Sequence, residues 1–121
     1  MLNSEYQFKA KIVHLILTKR ADEAIAALSE HYGVDVPGLK VGLPKKYSKN
    51  AGCYVSKTKT IHVSSRERLD DPFVILHEFY HHLRMRDGKH RGTENYANRF
   101  ARDFIEAFQN SIKYSFHVSY K

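Results

Sequence analysis

At 121 residues, 42% hydrophobic and 12% aromatic, the chain reads as one folded domain with a single core over residues 1–121; a disordered segment would be poorer in apolar residues. A single cysteine, Cys53, excludes an internal disulfide and any cysteine-rich zinc site. The formal net charge of +7 permits nucleic acid or another acidic partner without requiring one.

The first residues carry Glu5 and Lys9 and no long apolar region, which predicts no secretory signal. The apolar run at 12–17 is too short to span a bilayer and contains His14, so no membrane partner and a cytoplasmic location are expected. Residues 4–32 have helical periodicity. Phe8, Ile12, Leu15 and Ile16 form one apolar stripe, and Ala21, Ile25, Leu28 and Tyr32 form a second. Gly33 is a natural stop, and Asp22 is placed to cap a second helix after a break near residues 18–22.

From Val34 the pattern changes. Residues 39–43 alternate with period two and read as a strand ended by Pro44, followed by a basic polar loop at 45–50. Residues 51–56 and 60–64 read as a hairpin joined at Lys57-Thr58-Lys59. Tyr54, Val55, Ile61 and Val63 supply its buried face, with Cys53 a small core residue. Asp71 then offers an N-cap and Pro72 a first helical position ahead of an apolar run, predicting a helix over 71–86. A loop with Gly88 and Gly92 leads to a further helix over 93–111, its stripe made of Ala97, Phe100, Ala101, Phe104, Ile105 and Phe108. The alternation of Tyr114, Phe116, Val118 and Tyr120 predicts a short final strand. The order gives an α+β fold without internal repeats or a domain linker.

The 71–86 helix contains His77-Glu78-Phe79-Tyr80-His81, which spells H-E-x-x-H. Residues four apart share a helix face, so the two imidazoles can converge on one ion, and neutral imidazoles suit zinc. Glu78 sits about 100° round the helix, within reach of a water on that ion without binding the ion itself. It would act as general base. A row of solvated polar groups is the bland alternative. It fits poorly with the apolar run just before the motif, which predicts burial, where unpaired polar groups are costly. Tyr80 reads as a packing aromatic, and His82, a further 100° from His81, as a group hydrogen-bonded elsewhere.

A catalytic zinc site needs a third protein ligand. Asp87 lies six residues past His81, but that arrangement needs a glycine where Arg84 stands. His90 falls in the glycine-bounded loop and reads as facing solvent or substrate. Glu94 opens the next helix, which can fold back on the motif helix after the reversal between Gly88 and Gly92, and is the best of the three.

The pair of motifs, His77-Glu78-Phe79-Tyr80-His81 and Glu94-Asn95-Tyr96-Ala97-Asn98-Arg99-Phe100-Ala101, resembles the ImmA/IrrE-type metallopeptidases, a gluzincin family with H-E-x-x-H and, on the next helix, E-x-x-A-N-x-F-A. The resemblance covers about residues 20–108. It implies a zincin-like minimal gluzincin fold: an N-terminal helix and a small three-stranded sheet on one side of a cleft, and two C-terminal motif helices on the other. It implies His77, His81 and Glu94 as Zn2+ ligands, Glu78 as the catalytic base, and Asn98 as a polar residue that packs the helices or supports a ligand. It also implies a protein or peptide substrate, often a regulatory protein. The helix-turn-helix domain that accompanies many members has no counterpart here, and the basic run Arg84, Arg86, Lys89 and Arg91 departs from the family.

The leading expectation is a zinc endopeptidase whose extended substrate adds to the sheet edge beside residues 60–64. His90, Arg91 and Tyr96 are candidates for stabilising the tetrahedral oxyanion. A second expectation is a nucleic-acid-associated protease using Lys45, Lys46, Lys49, Lys57, Lys59 and the basic run at 84–91. A third is a metal-stabilised interaction module without catalysis, against which Glu78 stands, since a structural site has no need of it.

Overall fold

Helix α1 (Ser4–Leu17) opens the computed structural model, which describes residues 4–85 and 91–119. It buries Ile12, Val13, Leu15 and Ile16. The chain leaves α1 through Lys19 at φ 67, a left-handed turn that lets the Arg20 N–H bond the Leu15 carbonyl. Helix α2 (Ala21–Tyr32) follows and buries Ala21, Ala24, Ile25 and Leu28. The expected break is present, but its cap differs. Arg20 occupies the N-cap with no side-chain hydrogen bond, and Asp22 lies inside the first turn, where its charge still faces the positive helix end. Gly33, at φ 67, ends α2 as expected.

Strands β1 (Gly38–Val41), β2 (Gly52–Val55) and β3 (Thr60–Val63) form a mixed sheet in the order β1-β3-β2. The pair β2–β3 is the expected antiparallel hairpin, and β1 lies parallel to β3 on its other side. Both edges of β3 are therefore paired, and the expectation that a substrate adds beside residues 60–64 is corrected: the open edges are β1 and β2. Tyr54 stands opposite Ile61, and Gly52 opposite Val63, so Tyr54, Ile61 and Val63 share the buried face. Val55 falls on the other face and is half-buried, because side chains alternate along a strand. Cys53 is buried, as expected.

A 3-10 turn at Arg66–Asp70 leads to α3 (Pro72–Arg84). Asp71 caps α3: its Oδ1 accepts from the N–H of Phe73 at 3.0 Å and of Val74 at 3.4 Å, an arrangement worth about 1 kcal/mol. Met85 adopts φ 54 and ends α3 two residues before the expected boundary at Arg86. Helix α4 runs Arg91–Ser119, so the expected strand over 114–120 is corrected: the chain is helical there as far as Ser119. No glycine or proline lies between Thr93 and Lys121 to stop the helix.

Helix α4 packs along α1 and α3, and α3 lies between α4 and the β2–β3 hairpin. One core joins α1, α2, the sheet, α3 and α4 through Ile16, Ile25, Leu28, Ile61, Ile75, Leu76, Phe79 and Phe104. Each such buried side chain contributes about 1.5–3 kcal/mol. Among the described residues the architecture is α+β, four α-helices with a small three-stranded mixed sheet. Among the described residues no helix is long and apolar enough to cross a membrane.

Candidate metal centre

Helix periodicity divides the polar residues of α3 between two neighbours. Val74, Glu78 and His82 are four apart and face the hairpin, while His77 and His81 lie one step round toward α4. On the α4 side, His77 Nε2 is 2.6 Å from Glu94 Oε2, and His81 Nε2 is 3.5 Å from Glu94 Oε1. The two imidazole Nε2 atoms are 3.3 Å apart. Glu94 reaches this point from the first turn of α4, and Asn98, one turn further on, places its Oδ1 2.8 Å from His77 Nδ1. The amide oxygen only accepts, so Nδ1–H donates to it and Nε2 is the atom turned to the cluster.

This donor set fits a zinc ion. Two ligands on a tetrahedral zinc with bonds of 2.0–2.1 Å stand about 3.3 Å apart, the spacing of the two Nε2 atoms. The His77–Glu94 contact is at hydrogen-bonding length and would open by several tenths of an ångström to admit the ion. His81 is fully buried and His77 largely so, while Glu94 is partly exposed where the cluster borders a cleft. Donor atoms of His77, Glu78 and His81 lie within 4.8 Å of one another. Glu94 brings a carboxylate oxygen to each imidazole and is thereby a candidate third ligand beside Glu78.

Glu78 is 7% exposed. Burial pushes its carboxyl up from 4.5 to about 8, and the negative charge of Glu94 adds to the shift. A divalent cation in the cluster acts in the opposite direction and favours the carboxylate.

Glycine at position 52 lets the hairpin approach this carboxyl. A methyl group there would sit 2.8 Å from Val74 Cγ1, 3.0 Å from the His62 carbonyl oxygen and 3.4 Å from Glu78 Cγ. Gly52→Ala should therefore cost about 1–3 kcal/mol, as overpacked sites do. Thermal melts would then shift down by roughly 4 °C per kcal/mol. An unchanged melting temperature would mean that β2 can back away from α3 freely.

His82 is fully buried and turned away from the cluster. Its Nε2–H donates to the Asp35 carbonyl at 2.7 Å, and its Nδ1 accepts from the Tyr54 hydroxyl at 2.8 Å. It ties α3 to β2 and to the segment after α2, in keeping with the expectation that it bonds elsewhere. Tyr80 packs on Phe100, ring centroids 5.4 Å apart, as the packing aromatic expected of it.

A cleft of about 320 Å³ opens beside the cluster, lined by His77, Glu78 and Glu94 on one side and by Tyr47, Asn50, Ala51 and residues of β2 on the other. Tyr47 and Asn50 were not singled out by the sequence, since nothing in the 45–50 loop marks it as a cleft wall. An isolated glycine in a strand pattern signals a close approach, and that signal was present at Gly52. Of the groups considered for the oxyanion, Tyr96 is 60% exposed and absent from the cleft lining. His90 and the alternative ligand Asp87 lie outside the described residues, and Arg91 enters only as the first residue of α4. Comparison with protein-family models, with curated proteins and with solved structures finds no match to this chain.

Proposed function

We propose that this chain is a zinc-dependent endopeptidase of zincin-like fold that hydrolyses peptide bonds of an extended protein substrate. The observation that carries this reading is the convergence of His77, His81 and Glu94 on one point, with Glu78 beside them in an open cleft. A structural zinc site is closed by its ligands and has no use for a buried carboxyl next to it.

The hairpin edge favours a polypeptide as occupant. The Ser64 N–H donates to the Ala51 carbonyl at 2.8 Å, and these residues stand opposite one another in the register that pairs Gly52 with Val63. Bonded pairs alternate in an antiparallel ladder, so Gly52 and Tyr54 turn their N–H and C=O groups to the free edge. A substrate strand would pair with those groups, its scissile bond lying over the cleft.

Bound zinc supplies a lowered pKa for water and polarises the scissile carbonyl. Glu78 would accept the proton of the attacking water and return it to the leaving amine. Asn98 holds the His77 ring by its Nδ1–H, which keeps Nε2 directed at the cluster. The test is cleavage of a denatured protein by the purified chain. EDTA should abolish it and stoichiometric zinc restore it. Protein that binds zinc and leaves every extended polypeptide intact would be the metal-stabilised module instead.

A further inference from the structure

Between Asp35 and Glu67 the chain contains seven basic residues and no acidic one, which equals its entire formal net charge of +7. The remainder of the chain is balanced. The excess is therefore confined to the sheet segment, and this segment forms one wall of the cleft.

Four of the seven follow the open edge of β2, whereas Lys40 lies on β1 and Arg66 in the turn after β3. Before the strand come Lys45, Lys46 and Lys49, all exposed, in the turn and loop that supply Tyr47 and Asn50 to the cleft wall. Lys46 Nζ stands 5.3 Å over the Tyr47 ring, which fixes it near the cleft. After the strand comes Lys57, exposed in the hairpin turn. Lys59 is compensated by Asp35 at 3.1 Å and is set aside. Positive charge thus flanks both ends of the edge, while Glu78 and Glu94 line the cleft together with Gly52, Cys53 and Tyr54 of the strand. An extended chain rises about 3.3 Å per residue, so it crosses from one basic end to the other in about four to six residues.

Resting on the peptidase reading of the cleft, we infer that its substrate is an acidic polypeptide: an uncharged stretch at the scissile bond, with Asp or Glu residues on both sides. A nucleic acid is the less suited partner. Its phosphates would cross the two cleft carboxylates, which a divalent cation at best neutralises, and its backbone cannot pair with the outward N–H and C=O groups of Gly52 and Tyr54. A polypeptide with a neutral centre meets neither obstacle, and complementary flanks speed its encounter with the cleft.

The test uses zinc-loaded Glu78→Gln protein, which would hold a peptide without cutting it. Binding is followed by anisotropy of a labelled peptide with an apolar centre and Glu runs at both ends, of its counterpart with Gln runs, and of single- and double-stranded DNA of similar length. The Glu peptide should bind about tenfold more tightly than the Gln peptide at low salt, as a few exposed ion pairs would give. The advantage should vanish at high salt. It should also vanish in Lys45→Glu/Lys49→Glu/Lys57→Glu protein that retains its zinc and melting temperature. Equal binding of the two peptides overturns the inference. So does DNA binding tighter than the Glu peptide and lost in the triple variant, which would make the surface a nucleic-acid interface. The underlying reading is scored separately: wild-type zinc protein that cuts neither peptide removes the peptidase, whatever the anisotropy reports.

Discussion

Glu78→Gln should keep zinc and fold and lower peptide cleavage by at least about 100-fold, the low end of what a general base contributes. The Glu78 side chain is buried with its Cγ beside Gly52, and burial pushes its carboxyl up to about 8. The neutral acid is then the form the fold accommodates. Glutamine reproduces its size and its polarity, so the packing of the hairpin on α3 is undisturbed. The proposed zinc donors His77, His81 and Glu94 are untouched, because the substitution changes only the neighbouring side chain. What is lost is the capacity to take a proton from water. Zinc content, melting temperature and turnover of one substrate, measured side by side, separate these roles. Turnover within a few-fold of wild type would remove Glu78 as the base, and loss of zinc would make it a ligand.

The parts of this site that could be read in advance are those that local periodicity determines. Asp71, Pro72 and the i,i+4 pair of His77 and His81 lie within eleven residues of one helix, so their geometry follows from the helix alone. Strand faces were legible for the same reason, apart from Val55. Strand order was not, because period-two alternation states which side of a strand is buried and says nothing of its neighbours. Nothing local therefore marks β3 as the central strand. The tail shows the opposite ambiguity. Tyr114 and Val118 are four apart, as are Phe116 and Tyr120, so a pattern that alternates also satisfies a helix. The bond network of Asp35, Tyr54 and His82 joins residues up to 47 positions apart and leaves no local trace. Glu94 is intermediate: its nomination needed α4 to fold back on α3, and their packing brings it against both imidazoles.

Loss of a ligand should give the second large effect, and the three candidates are best separated by graded substitution. One zinc per chain is expected. His81 is fully buried, so His81→Ala removes a donor and opens a cavity at once, and its instability alone would prove little. Glu94→Gln is cleaner: Glu94 is partly exposed, the change preserves shape, and only the charged donor goes. Zinc affinity should fall by more than about 100-fold, beyond the 10–100-fold typical of a residue that merely orients a ligand. Asn98→Ala, which frees the His77 ring without removing a donor, should fall inside that lower range. Asp87→Asn should leave zinc binding intact. The same order must appear in stability, because zinc at a thousandfold excess over its dissociation constant adds about 4 kcal/mol to the folded state. Wild-type protein should therefore melt well above its EDTA-treated form, Asn98→Ala should show a smaller gap, and Glu94→Gln at most about a third of the wild-type gap, since a hundredfold loss leaves about 1.4 kcal/mol at the same zinc concentration. If Asp87→Asn closed the gap and Glu94→Gln kept it, the third donor would come from the loop after α3 and the present assignment of Glu94 would fall.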